Sequence, residues 1–337
     1  MVSPITLETR VEEIALREPF SISSATWEVA ENVFAIVHCE GIAGAGEVGT
    51  DPRVGDTADS IVAALEGADL SHLRGVFDLE GIDELLPAGP ARCALDIAIH
   101  DLAGQMAGLS LAELVGLGGR VSAPTSVTIP ISTVEHMQER AREWSDYPII
   151  KMKVGFDGDL EAVRAVRNVF PGMIRVDANE GWNKKAAIER LEKLAPFDIE
   201  LCEQPIPAGH YDELSEIKAG SAIPIFADED VNVARDVIAL ADAVDGVNLK
   251  LRKTGGIREL MRAANVARAV GLKLMLGCDL ESGVGATAQA NLASLFDHVD
   301  VDGPLALAED PYPGVTYEGG TLVLPRGPGL GLQGRPT

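Results

Sequence analysis

The chain has 337 residues, 46% of them hydrophobic, and a formal net charge of −24. That length suits one large barrel with a smaller companion domain, and the apolar content is ample for a core. So acidic a chain is a poor partner for nucleic acid or an anionic membrane surface, and neither is expected.

The N-terminal MVSPITLETRVEEIALREPF lacks a basic stretch followed by an apolar one, so no secretory leader is expected. No run reaches the roughly 18 apolar residues of a membrane span. Cys39, Cys93, Cys202 and Cys278 are widely spaced without a CxxC pair, which reads as free thiols in a reducing cytoplasm.

Residues 1–120 read as a separate α+β domain. It holds alternating strands, such as VFAIVHCE at 33–40, and a turn-rich segment, GIAGAGEVGTDPRVGD, at 41–56. Helical sequence, ARCALDIAIHDLAGQMAGLSLAELVG, follows at 91–116.

From residue 124 a unit repeats: a short β-branched run, a polar or acidic residue, then an amphipathic stretch. The runs are SVTIP (126–130), PIIKMKV (148–154), MIRVDAN (173–179), IELCEQP (199–205), IPIFADE (223–229), GVNLKL (246–251), LKLMLGC (272–278) and HVDVD (298–302). Stretches at 134–144, 159–170, 185–194 and 257–270 place apolar residues at helical spacing. Marker residues Lys153, Asp177, Glu203, Asp228, Lys250, Cys278 and Asp300 recur every 22 to 28 positions, the length of a βα unit. Eight such units predict a (β/α)8-type barrel over residues 121–312. The glycine- and proline-rich residues 313–337 cannot form a long helix and are expected to return to the first domain.

The C-terminal ends of barrel strands share one mouth. Here they carry Lys151, Lys153, Asp177, Glu203, Asp228, Lys250, Asp300 and Asp302. A lone strand-end aspartate is usually a cap. Three carboxylates on three consecutive strands, flanked by lysines, point instead to a site. Without a cation the carboxylates would repel and their pKa values would climb. Oxygen-only ligands suit Mg²⁺, and Cys202, on the opposite strand face from Glu203, is a poor ligand. Lys151 and Lys153 leave one face of their strand, and Lys250 enters from further round. Crowded ammonium groups near a divalent cation are expected to depress one another's pKa, allowing a lysine to act as base.

KMK (151–153), VDANEGW (176–182), EQP (203–205), ADED (227–230) and NLKLRKTGG (248–256) resemble the enolase superfamily, muconate-lactonizing-enzyme subgroup. GE (46–47), ALDIAIHDLAGQMAG (94–108) and GPGLG (327–331) resemble that superfamily's N-terminal capping domain. The resemblance implies that Asp177, Glu203 and Asp228 ligate Mg²⁺. It implies that Lys153 and Lys250 are the acid/base pair, acting through an enediolate, and that Lys151 assists and contacts the substrate carboxylate.

Asp300-Val301-Asp302 resembles the Asp-x-Asp with which the subgroup's dipeptide epimerases hold the substrate's α-ammonium group; two carboxylates with no partner cation in sequence suit a positive amine. The resemblance also places Thr128 and Cys278 in the substrate pocket and allows a homo-oligomer. Ala-Glu epimerases carry an arginine in the N-terminal mobile loop. Ala25 stands there in this chain, with Trp27 and Glu28 nearby, which argues against an acidic second residue. Asp279 adds a further carboxylate near the mouth. The expected activity is Mg²⁺-dependent dipeptide epimerisation. The alternatives are o-succinylbenzoate synthase or N-succinylamino acid racemase activity, and a binding barrel that has lost its chemistry.

Overall fold

The computed structural model describes residues 3–118 and 122–336. The first domain opens with an antiparallel sheet of β1 (Thr6–Ser21), β2 (Thr26–Cys39) and β3 (Ile42–Gly49), paired in that order. The segment expected to be turn-rich is therefore a strand for eight of its residues, Ile42–Gly49. Its glycines serve packing. A Cβ at Gly44 would lie 2.2 Å from the Ala98 carbonyl oxygen, and one at Gly46 2.0 Å from that of Ala94. Only bare backbone lets the helix Pro90–Ala107 settle on β3. That helix is buried on nearly every side and stops at Gly108 in the left-handed conformation.

Eight parallel strands follow: β4 (Val127–Ile129), β5 (Ile149–Lys153), β6 (Met173–Asp177), β7 (Ile199–Glu203), β8 (Ile225–Ala227), β9 (Gly246–Leu249), β10 (Lys273–Leu276) and β11 (His298–Val299). Each lies inside one of the eight runs, and neighbours in sequence are neighbours in the sheet. The Ser126 amide donates to the Val299 carbonyl at 3.2 Å, bringing the first and last strands together. Helices Val134–Glu143, Asp159–Arg167, Lys184–Leu194 and Ile257–Ala269 stand where apolar periodicity put them. Thr133 and Asn183 cap two of them with side-chain oxygens.

Below the mouth the barrel is filled rather than hollow. Leu201, Phe226 and Met275 pack together, and Arg175 is buried with its guanidinium on Glu200 and on the Val299 carbonyl, at 2.6 and 2.7 Å. Strand β11 is only two residues long, because the chain turns at Gly303-Pro304 into a short helix, Gly303–Ala306. Asp300 and Asp302 thus lie beyond the strand rather than on it, as the sequence pattern had suggested.

The C-terminal segment does two things. A hairpin of β12 (Thr316–Glu318) and β13 (Thr321–Val323) bonds to Ala123 and Thr125, just ahead of β4. Gly329 and Leu330 then bond to Leu111 and Asp101 of the first domain, where Arg335 also pairs with Asp101. The expected boundary at 120/121 lies outside the described residues. Among the described residues, no helix is long and apolar enough to cross a membrane.

Glu47 fastens the first domain over the barrel. Its fully buried carboxylate accepts from Ser282 N and Oγ at 2.7 Å, from Gly285 N at 2.8 Å and from Asn32 Nδ2 at 2.7 Å. Burial pushes its pKa up to about 6 against those four donors. Glu18 makes a second tie, to His136 at 2.6 Å and Arg140 at 2.9 Å.

Candidate active site

Strand alternation sends every second side chain into the barrel, and parallel register stacks them in layers. Lys153, Asp177 and Glu203 are register partners across β5, β6 and β7. All three are buried or nearly so. Lys151 Nζ lies 2.7 Å from Asp300, 2.8 Å from Glu203 and 3.1 Å from Asp177. Lys153 Nζ lies 2.7 Å from Asp177, and Lys250 Nζ 3.0 Å from Asp228 and 3.8 Å from Asp279. The structure therefore brings all three expected lysines and all three expected carboxylates into one cluster.

The lysine electrostatics run opposite to the sequence expectation. Burial favours the neutral amine of Lys151, but Asp300, Glu203 and Asp177 outweigh it and hold the ammonium well above its ordinary range. Lys250 behaves alike, with Asp228 and Asp279 overcoming burial. The expectation counted lysine–lysine repulsion, whereas each lysine here rests on a carboxylate. Asp177 is drawn down to about 2, as Lys153 and Lys151 overcome burial, and Asp228 is drawn down further by Lys250 and Lys253. Glu203 is pushed up to about 7 by burial and by the Asp177 charge.

Among the described residues, no three carboxylate, imidazole or thiol groups gather as a preformed metal cluster; lysines meet each carboxylate instead. The donor set nevertheless fits a hard divalent cation. It is oxygen-only, buried and over-supplied with negative charge. Glu203 Oε2, although 2.8 Å from Lys151 Nζ, accepts no hydrogen bond. Glu229 Oε2 is likewise buried without a partner, and burial beside Asp228 pushes its pKa up to about 8.

Asp300 and Asp302, treated alike in the sequence, are placed differently. Asp300 does have a partner cation, Lys151, and also accepts from Ser126 Oγ at 2.5 Å. Among the described residues, no cation lies within ion-pairing distance of Asp302. It accepts from the Thr128 amide at 2.6 Å and from Cys278 Sγ at 3.4 Å. Burial and the Asp300 charge push its pKa up to about 6. Thr128 and Cys278 thus stand beside Asp302, and both line the same cavity. Burial raises the Cys278 thiol well above its ordinary range.

Several residues were not legible. Asn248 donates from Nδ2 to Glu203 Oε1 at 2.6 Å. Its room comes from Gly277 on the neighbouring strand end, where a Cβ would sit 2.5 Å from Asn248 Oδ1. Lys253, carried back by the turn Leu251–Thr254, lies 2.5 Å from Asp228 Oδ1; its only signal was a further lysine three places after Lys250. Asp279 is held by Arg252 at 2.9 Å, so it is part of the site's wall rather than a solvated loop residue. A cavity of about 1240 Å³ joins the lysines and Asp302 to the loops of the first domain.

Residues 4–116 match the model of the mandelate racemase / muconate lactonizing enzyme N-terminal domain, and residues 133–336 the enolase C-terminal domain-like model. The chain belongs to this family of two-domain enolase-like barrels. It is 32% identical to the L-Ala-D/L-Glu epimerase of Bacteroides thetaiotaomicron, across 95% of this chain and 86% of that protein. It is 35% identical to a hydrophobic dipeptide epimerase of Roseobacter litoralis, across 94% of this chain and 95% of that protein. The crystal structure of a dipeptide epimerase from Enterococcus faecalis V583, complexed with Mg and L-Leu-L-Tyr, superposes with a TM-score of 0.92 at 31% identity, covering 98% of this chain and 99% of that one.

Proposed function

We propose that this chain epimerises dipeptides at the α-carbon of the C-terminal residue. The observation that carries the reading is the placement of Lys153 and Lys250. They reach one cavity from β5 and from the end of β9, four strands apart, with three buried carboxylates between them. A base on one side of a carbon and an acid on the other is what inversion requires.

Asp177, Glu203 and Asp228 would hold Mg²⁺, which when bound supplies positive charge to stabilise the enediolate formed from the substrate carboxylate. Lys151, at the centre of the carboxylate layer, neutralises charge there and meets the substrate carboxylate. Lys153 takes the α-proton from one face and Lys250 donates one to the other; for the opposite epimer the roles exchange. With Asp177 and Asp228 committed to a divalent cation, Lys153 and Lys250 would each give up the nearest carboxylate, and Lys250 would keep Asp279 at 3.8 Å. Asp302, helped by Asp300, receives the substrate α-ammonium group. Thr128 and Cys278 fix the Asp302 carboxylate and border the same pocket. Three of the four free cysteines are buried and the fourth partly so, which fits a reducing, cytoplasmic setting.

The same observations weigh against an N-succinylamino acid racemase or an o-succinylbenzoate synthase. Either would bring an anionic group to a wall already carrying Asp302. The test is α-proton exchange in D₂O across a dipeptide library, with N-succinylamino acids in parallel. Deuterium incorporation with inversion in dipeptides supports the reading. Exchange confined to N-succinyl compounds overturns it.

A further inference from the structure

The proton is exchanged above and below the α-carbon, so its other three substituents keep their places. The dipeptide reading, on which this inference rests, gives the carboxylate to the lysine layer and the amide nitrogen to the Asp302 side. The remaining substituent, the side chain being inverted, must point up the cavity towards the first domain.

The cavity wall there is built by Trp27 of β2 and Arg53 of the loop after β3. The Arg53 guanidinium lies 5.2 Å from the centre of the Trp27 ring, and its Nη1 donates to Ser24 Oγ at 3.2 Å. Trp27 is half-buried and, with Phe20 and Leu280, packs on the apolar patch around Leu16 and Leu307. Arg53 thus brings a cation from distant sequence to the very loop that has no arginine of its own. That cation is already spent. Arg53 grips Asp51 with two nitrogens, at 2.8 and 2.9 Å, and Asp51 is buried and shared with Arg252 at 3.6 Å. Arg252 in turn holds Asp56 and Asp279. Drawing Arg53 off to an acidic substrate would strip a buried carboxylate of its main partner, and Asp51 and Asp56 would repel the newcomer. Arg140, further round the wall, is committed to Glu18 and Glu143.

We propose that the Trp27–Arg53 pair is a flat, charge-compensated platform selecting dipeptides whose C-terminal residue has an uncharged apolar side chain, aromatic or branched aliphatic. The indole and its stacked guanidinium offer broad contact to such a group at no desolvation cost to a substrate charge.

The experiment compares kcat/KM for L-Ala-L-Phe, L-Ala-L-Leu, L-Ala-L-Ala, L-Ala-L-Glu and L-Ala-L-Lys in the wild type, Trp27→Ala and Asp51→Asn. In the wild type the Phe and Leu dipeptides should exceed the Glu and Lys dipeptides at least tenfold. Trp27→Ala should lower the Phe dipeptide at least tenfold and the Ala dipeptide less than threefold, a difference that a general loss of folding would not produce. Asp51→Asn, by uncovering the Arg53 charge, should raise the Glu-to-Phe ratio at least fivefold. Glu or Lys dipeptides turned over as well as Phe or Leu, or equal losses on Phe and Ala in Trp27→Ala, would overturn the inference while leaving the epimerase reading standing. Inactivity on every dipeptide would instead remove the reading on which it rests.

Discussion

Lys151 Nζ lies 2.7 Å from Asp300 Oδ2, so one of the two aspartates beyond the eighth barrel strand is already paired with a cation from the second. Asp302, two residues on, accepts instead from the Thr128 amide and the Cys278 thiol. On the proposed reading, the substrate ammonium group would depend chiefly on Asp302. A charge-assisted hydrogen bond is worth roughly 1.5–3 kcal/mol. N-acetylation of a good dipeptide substrate should lower kcat/KM by about 10- to 150-fold, and Asp302→Asn should penalise the free dipeptide far more than the acetylated one. Steady-state kinetics of both substrates on both enzymes read this out.

The same carboxylate sets a pH dependence. Asp302 is pushed up to about 6, and only its ionised form attracts an ammonium group. For free dipeptides, kcat/KM should fall as pH drops below about 6, with a slope of one proton. For N-acetylated dipeptides this limb should vanish. A shared acid limb would assign the titration to another group.

Metal removal should abolish activity, and Mg²⁺ should restore it. The outer contact to Glu203 gives a finer test. Gly277→Ala drives a methyl group into Asn248, whose Nδ2 bonds Glu203 Oε1. Outer-layer contacts of this kind are worth about 10- to 100-fold in metal affinity or activity. Gly277→Ala and Asn248→Ala should each raise the Mg²⁺ concentration needed for half-maximal activity by that factor, as measured by titrating EDTA-treated enzyme.

Glu47 and Glu281 make the fold sensitive to alkali. Burial, against its four hydrogen bonds, holds Glu47 at about 6; burial and the Asp279 charge hold Glu281 at about 8. Both lie above the ordinary value of 4.5, so between that value and the raised one the folded chain binds more protons than the unfolded chain. Their contribution is therefore greatest below pH 4.5 and declines as pH rises to about 8. The Tm of metal-free protein should fall from pH 5 to 8, and Glu281→Gln should flatten that fall. Glu47→Gln replaces one acceptor oxygen with a donor facing Ser282 or Gly285, and should cost about 3 kcal/mol in denaturant unfolding.

The repeat length and the alternation of strand residues made the barrel and its ring of lysines and carboxylates legible, because both depend on local spacing alone. Strand β3 was not legible, since its glycines answer to a helix some fifty residues away. The directions of the Lys151 and Lys250 shifts were not legible either. They depend on which carboxylate each long side chain reaches, which spacing does not specify. Nor could the sequence bring Arg53 to Trp27, because that contact is made between strand β2 and the separate loop after β3.

The most direct test of the two-lysine account uses Lys153→Ala and Lys250→Ala with the two epimers of one dipeptide in D₂O. The lysines reach the cavity from strands on different sides of the carboxylate layer. Each variant should lose net epimerisation by at least 1,000-fold. Deuterium should still enter the epimer served by the surviving lysine and not the other, with the pattern reversed between the variants. Epimerisation at near wild-type rate in both variants would contradict the account.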